Sequence, residues 1–200
     1  MSRVGPIDYG VAASTLRGQT ECGDVCLVRE VDDGALVVAM DGLGHGADAA
    51  AAARQAAGLI ERHANESLIS LATRCHDRLK QTRGVVMGLA NFDRRERSVS
   101  WLGVGNIEGR LLRGGQSAGL RTANLVQRPG VIGGRLPPLV TETIPLGTGD
   151  VLIFATDGVH PDFTEHVDMN DSPQHIAEQI LARCGKESDD ALVVVARYEE

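Results

Sequence analysis

Apolar positions alternate with polar ones, or run unbroken for a strand's length, in eight stretches of this chain. The pattern predicts strands over 7–14, 24–31, 36–40, 85–92, 98–104, 109–113, 151–155 and 191–197. Three other stretches carry the helical period or composition. Residues 47–64 are Ala-rich, with small side chains that let a helix lie close on a sheet. Residues 66–82 place Leu68, Leu71, Ala72, Cys75 and Leu79 on one face. Residues 172–183 open on Ser172 as N-cap with Pro173 in the first turn, and stop at Gly185. Asp32-Asp33-Gly34 is a turn signal that predicts a hairpin, and Asp93-Arg94-Arg95-Glu96 is a second polar connection. The stretch 114–149, rich in Gly, Pro and Thr, reads only as short strands and loops. Strands and helices come in groups rather than in strict alternation, which favours an α+β fold with antiparallel sheets over βαβ units.

Two hundred residues fit one domain, 1–200, with an ordinary soluble composition: 42% hydrophobic and 24% charged. The net charge of −7 gives no support for a nucleic-acid or anionic-membrane partner. The first nine residues lack the apolar core of a signal peptide, and no apolar run is long enough to span a bilayer, so the expected location is cytoplasmic. Cys22 and Cys26 are close in sequence, but Cys75 and Cys184 are far away, and no paired zinc spacing exists. All four are expected to be structural or free thiols.

The chemistry concentrates in acids at the ends of predicted strands. Asp24 opens one, Asp41 follows the run 36–40, Asp157 follows 151–155, and Asp189 and Asp190 precede 191–197. Each has a bland alternative. Asp41-Gly42-Leu43-Gly44-His45-Gly46 could be a glycine-rich turn into a helix, Asp157-Gly158 a simple turn, Asp189-Asp190 solvated charge, and Asp24 an ordinary strand-start residue. The repetition is what argues for convergence on one acidic pocket. Carboxylates crowded together need a cation, and hard oxygen donors suit Mg²⁺ or Mn²⁺. Glycines beside Asp41 would also let a backbone carbonyl face such a cation. His45 could serve in acid–base chemistry, or could be a helix-start histidine bonded locally. Gly103-Val104-Gly105-Asn106-Ile107-Glu108-Gly109 does not have dinucleotide-site spacing, and a strand rather than a helix is expected after it.

Gly23-Asp24, Asp41-Gly42-x-Gly44-x-Gly46, Thr156-Asp157-Gly158 and Asp189-Asp190-Ala191, in this order and spacing, resemble the motifs of the PPM-type metal-dependent serine/threonine phosphatases. The compact length and the Asp-Gly-Leu-Gly-His-Gly form resemble the bacterial SpoIIE-like branch, and within it the small phosphatases of stressosome signalling. The resemblance implies a four-layer α/β/β/α sandwich, two antiparallel sheets flanked by helices, with two Mn²⁺ or Mg²⁺ ions in a cleft at one edge. It implies that Asp41 bridges both ions, that the Gly42 carbonyl binds one, and that Asp157 and Asp189 ligate the other. Asp24 would act through metal-bound water, and Asp190 is the weaker ligand candidate of its pair. The implied reaction is hydrolysis of phosphoserine or phosphothreonine by a bridging hydroxide, with catalysis centred on Asp41 and Asp157. The implied substrates are phosphorylated STAS-domain proteins of a stressosome.

Three positions depart from the family pattern. Leu43 stands where many members have a histidine after Asp-Gly, so His45 is the remaining candidate acid. Gly105-Asn106-Ile107-Glu108 replaces a Gly-Asp-Ser-Arg element, removing an acid that could hold a third metal. Arg17 is the nearest match to the phosphate-gripping arginine of larger relatives. Two rivals follow: a catalytically silent phosphatase fold that binds a phosphoprotein, and a metal-dependent phosphoesterase acting on a small molecule.

Overall fold

The structure, a computed structural model, describes residues 2–114 and 122–199; residues 115–121 of the Gly- and Pro-rich stretch lie outside them. The chain runs β1 (Ser2–Val4), β2 (Ile7–Ser14), β3 (Asp24–Val31), β4 (Gly34–Gly42), α1 (Ala47–Arg62), α2 (Leu68–Leu79), β5 (Val85–Asp93), β6 (Ser98–Val104) and β7 (Glu108–Leu112). It continues through β8 (Ala123–Asn124), β9 (Glu142–Pro145), β10 (Val151–Ala155), α3 (Pro173–Cys184) and β11 (Ala191–Tyr198). Two antiparallel sheets form. Sheet I has the order β1-β2-β11-β10-β7-β8, and sheet II the order β3-β4-β5-β6-β9.

Side-chain alternation divides the core into three apolar layers. The inner faces of the sheets meet through residues such as Val37, Phe92, Trp101, Phe154 and Val194. The outer face of sheet II, with Leu36, Val38, Met40 and Met87, is covered by α1 and α2. The outer face of sheet I, with Ile153, Val193 and Val195, is covered by α3. The result is the expected four-layer α/β/β/α arrangement. No helix among the described residues is long and apolar enough to cross a membrane.

The predicted elements are found, with shifted ends. The α2 face is Leu68, Leu71, Ala72, Cys75 and Leu79 as the period requires, but the helix is shorter than 66–82. Its N-cap is Ser67, whose Oγ accepts from the Ser70 N–H at 3.2 Å. The turn at Asp32-Asp33 does close a hairpin, with Val31 opposite Gly34. The strand expected at 36–40 runs on to Gly42, because β4 is paired on both sides and the ladder outlasts the apolar run. Asp41 and Gly42 are therefore strand residues rather than turn residues. The short strands expected in 114–149 include β8 in sheet I and β9 in sheet II, so that stretch crosses between the sheets. All four cysteines are free thiols.

Candidate active site

The sheets bring their acidic ends together. Asp24, at the start of β3, lies directly opposite Asp41 near the end of β4. Asp157 follows the end of β10, and Asp189 and Asp190 precede β11, which pairs with β10 so that Ala155 faces Val193. Close backbone approaches fix this arrangement. A Cβ on Gly42 would stand 2.1 Å from the Ala49 carbonyl oxygen, and one on Gly158 would stand 1.9 Å from that of Asp190. Only glycine lets α1 sit against the end of β4 and the Asp157 turn against the start of β11. The small residues Ala49, Ala50, Ala52 and Ala53 complete the α1 contact, each at most 1% exposed.

Asp41, Asp157 and Asp189 line one cleft of about 610 Å³, together with Leu43, His45, Asn106, Gln127 and Val131. Asp24 is buried beneath it. The Thr156 hydroxyl donates to Asp24 Oδ2 at 2.7 Å and itself accepts from the Leu192 N–H at 2.8 Å. Burial is the main force on the two paired acids. It pushes Asp24 up to about 7, against the Thr156 hydrogen bond and with help from the charges of Asp190, Asp157 and Asp189. It pushes Asp41 up to about 8, aided by the charges of Asp24, Asp157 and Asp189 and by a hydrogen bond between the Asp41 and Asp24 carboxyls.

The two halves of Asp189-Asp190 behave differently. Asp189 faces the cleft, whereas Asp190 is 3% exposed and already engaged. Its Oδ1 accepts from the Leu16 N–H at 2.7 Å and its Oδ2 from the Gly23 N–H at 2.8 Å. Asp190 thus ties down the segment between β2 and β3. Arg17, on that segment, is exposed and is not among the residues lining the cleft. His45 is exposed on the cleft rim.

Three neighbours were not legible as site residues. The Asn106 amide donates to Asp157 Oδ2 at 2.8 Å, so the residue that departs from the family pattern holds a cleft carboxylate. Lys186 Nζ donates to the Asp157 carbonyl. Arg83 pairs with Asp48 at 2.9 Å and lies over Gly44. Nothing in the local sequence around Lys186 or Arg83 signals proximity to the acids; only the fold supplies it.

The donor set fits a hard divalent cation: carboxylate oxygens from separate elements, crowded and partly desolvated. Among the described residues no three His, Cys, Asp or Glu are already closed around one point. The acids ring the cleft instead, which suits ions that keep several waters.

The sequence profile of the family described as Stage II sporulation protein E (SpoIIE) matches residues 32–199. The chain belongs to the SpoIIE family. It is a protein phosphatase, as the ordered acidic motifs led us to expect. Phosphoserine phosphatase RsbX of Bacillus subtilis (strain 168) is 24% identical to this SpoIIE-family chain over 181 residues, 90% of this chain and 89% of RsbX. A chain solved in work on the bacterial stressosome as a modular system controlling secondary messenger signalling superposes with a TM-score of 0.86. It is 29% identical, covering 96% of this chain and 99% of that one. Crystalline RsbX in complex with magnesium gives a TM-score of 0.85 at 23% identity, covering 96% of this chain and 94% of that one.

Proposed function

We propose that this chain removes phosphate from phosphoserine or phosphothreonine in a protein substrate, using two divalent cations, Mn²⁺ or Mg²⁺. The observation that carries the reading is the convergence of Asp41, Asp157 and Asp189 on one cleft, with the buried Asp24 directly opposite Asp41 on the neighbouring strand. In this reading Asp41, the Gly42 carbonyl, Asp157 and Asp189 hold the cations. Asp24, occupied by Thr156, acts through water, and Asp190, occupied by two backbone N–H groups, stays outside the set. When bound, the cations supply a water nucleophile of lowered pKa and offset the charge of the phosphoryl oxygens.

The protein's own groups do the rest. Asn106 fixes one oxygen of Asp157 and leaves the other to the cleft. Thr156 orients Asp24. Leu43 brings no proton donor, and His45 on the rim is the group placed to give a proton to the departing seryl oxygen. The whole of 1–200 acts as one catalytic domain. Likeness to RsbX and to the stressosome chain supports phosphorylated STAS-domain proteins of a stressosome as the substrates. Their dephosphorylation would reset stress signalling.

The test is phosphate release from a phosphoserine STAS-domain protein, with and without Mn²⁺. Release that needs both Mn²⁺ and Asp41 is the expected result. Binding of the phosphoprotein without release of phosphate from it or from an aryl phosphate would overturn the proposed site chemistry.

A further inference from the structure

The cleft is lined by two kinds of residue: the carboxylates Asp41, Asp157 and Asp189, and an apolar wall of Leu43, Val86, Pro129 and Val131. The two adjoin, since Val86 is the direct cross-strand neighbour of Asp41. The wall is part of the fixed frame. Its outer strap, 125–132, is hydrogen-bonded at both ends and in the middle. The Leu125 N–H donates to the Gly109 carbonyl at 2.9 Å, the Gly105 N–H to the Arg128 carbonyl at 2.9 Å, and Val85 and Ile132 exchange bonds at 3.0 and 2.9 Å. Gln127 adds a side-chain bond to the Asn106 carbonyl at 3.4 Å. A volume of about 610 Å³ is in the range of sites that enclose a whole ligand, well beyond what a phosphoryl group needs.

We infer that this wall selects substrates carrying a bulky apolar residue immediately beside the phosphoserine. The inference rests on the phosphatase reading above. Wall and carboxylates belong to one cleft, so a phosphoryl group at the acids brings the adjoining peptide against Leu43, Pro129 and Val131. Neighbouring residues in a peptide have Cα atoms about 3.8 Å apart, so the adjacent side chain is the one within reach. An apolar side chain there releases water from both surfaces. A charged or small polar one leaves the wall wet or loses its own hydration. The rim groups His45 and Ser188 are polar and available to the peptide backbone.

The test compares two phosphoserine peptides that differ only in having Leu or Ser on both sides of the phosphoserine. The expected result is a kcat/KM ratio of about 10 or more in favour of the Leu peptide, the discrimination an apolar subsite commonly provides. In Val131→Thr and in Pro129→Ser, each checked for an unchanged circular dichroism spectrum, the ratio falls towards one. Because it is a ratio, a general loss of cation or of folded protein cancels. Equal use of both peptides by the wild type overturns the inference, as does a ratio that survives in both variants. Either result leaves the phosphatase reading standing so long as phosphate is released. No release from either peptide or from an aryl phosphate overturns both.

Discussion

Strand β10 has an aspartate at each end, and the two live in opposite worlds. Asp150, just before its first residue, is 4% exposed and fully engaged. It accepts from Arg113 Nη1 at 2.6 Å, from the Gly114 N–H at 2.9 Å and from the Gly147 N–H at 2.9 Å. At the other end Asp157 shares a cleft with Asp41 and Asp189, with one amide from Asn106 as its side-chain partner. A buried carboxylate surrounded by donors is a structural clamp, because its charge is balanced within the fold. Carboxylates surrounded by carboxylates are unbalanced, and the missing charge is the clearest sign of what the cleft binds. Asp190 shows that position alone does not decide. It stands at the acidic end of the sandwich yet is satisfied like Asp150.

The contrast breaks most visibly at Asp41. Asp41→Asn should lower phosphate release by about 100-fold or more, while the cation-free protein folds as well as the wild type because the amide adds no charge to the acidic cluster. Normal turnover by the folded variant would sink the site assignment. Asp150→Ala should do the reverse. Losing this clamp should cost about 3 kcal/mol by urea unfolding, below the full value for a buried pair because Arg113 is 33% exposed. Turnover per folded molecule should be unchanged.

Adding Mn²⁺ sharpens the comparison further. At a 100-fold excess over its dissociation constant, a cation bound only by the folded state adds about 2.7 kcal/mol. For a chain of this size that raises Tm by roughly 5–10 °C. Wild type and Asp150→Ala should both show the rise, and Asp41→Asn should not. A flat melting temperature in the wild type would speak against a cation site. The smallest effect is expected at Asn106. Asn106→Ala leaves Asp157 without its amide donor, and should cost about tenfold in kcat/KM, the value of one hydrogen bond to a charged group. Calorimetric Mn²⁺ titration of the same variant should show weaker binding. Unchanged affinity and rate would mean that the Asn106 contact is incidental.

Much of this was legible along the chain. Hydrophobic patterning located the principal strands and α2, since an element that covers a core must present an apolar face at its own period, while Ala content located α1 and its end signals located α3. The ordered acidic motifs pointed to the family. Element ends were less legible. Asp41 and Gly42 looked like turn residues, and only the ladder to β3 and β5 shows them as strand. The roles within Asp189-Asp190 could not be separated by composition, because both are aspartate. What separates them is that the N–H groups of Leu16 and Gly23 reach one and not the other. Lys186 and Arg83 carried no local signal at all.

By itself, then, the sequence determined the kinds of element, the α+β class and the stock of carboxylates, because these depend on local period and residue chemistry. The tertiary structure alone decided which acids face one another and which are satisfied, because β10 pairs with β7, from which β8 and β9 separate it along the chain, and with β11, which follows only after α3. It also decided that an apolar wall shares the cleft with the acids. That juxtaposition joins the 125–132 strap to Leu43 and Val86, and no local pattern encodes a contact between segments so far apart.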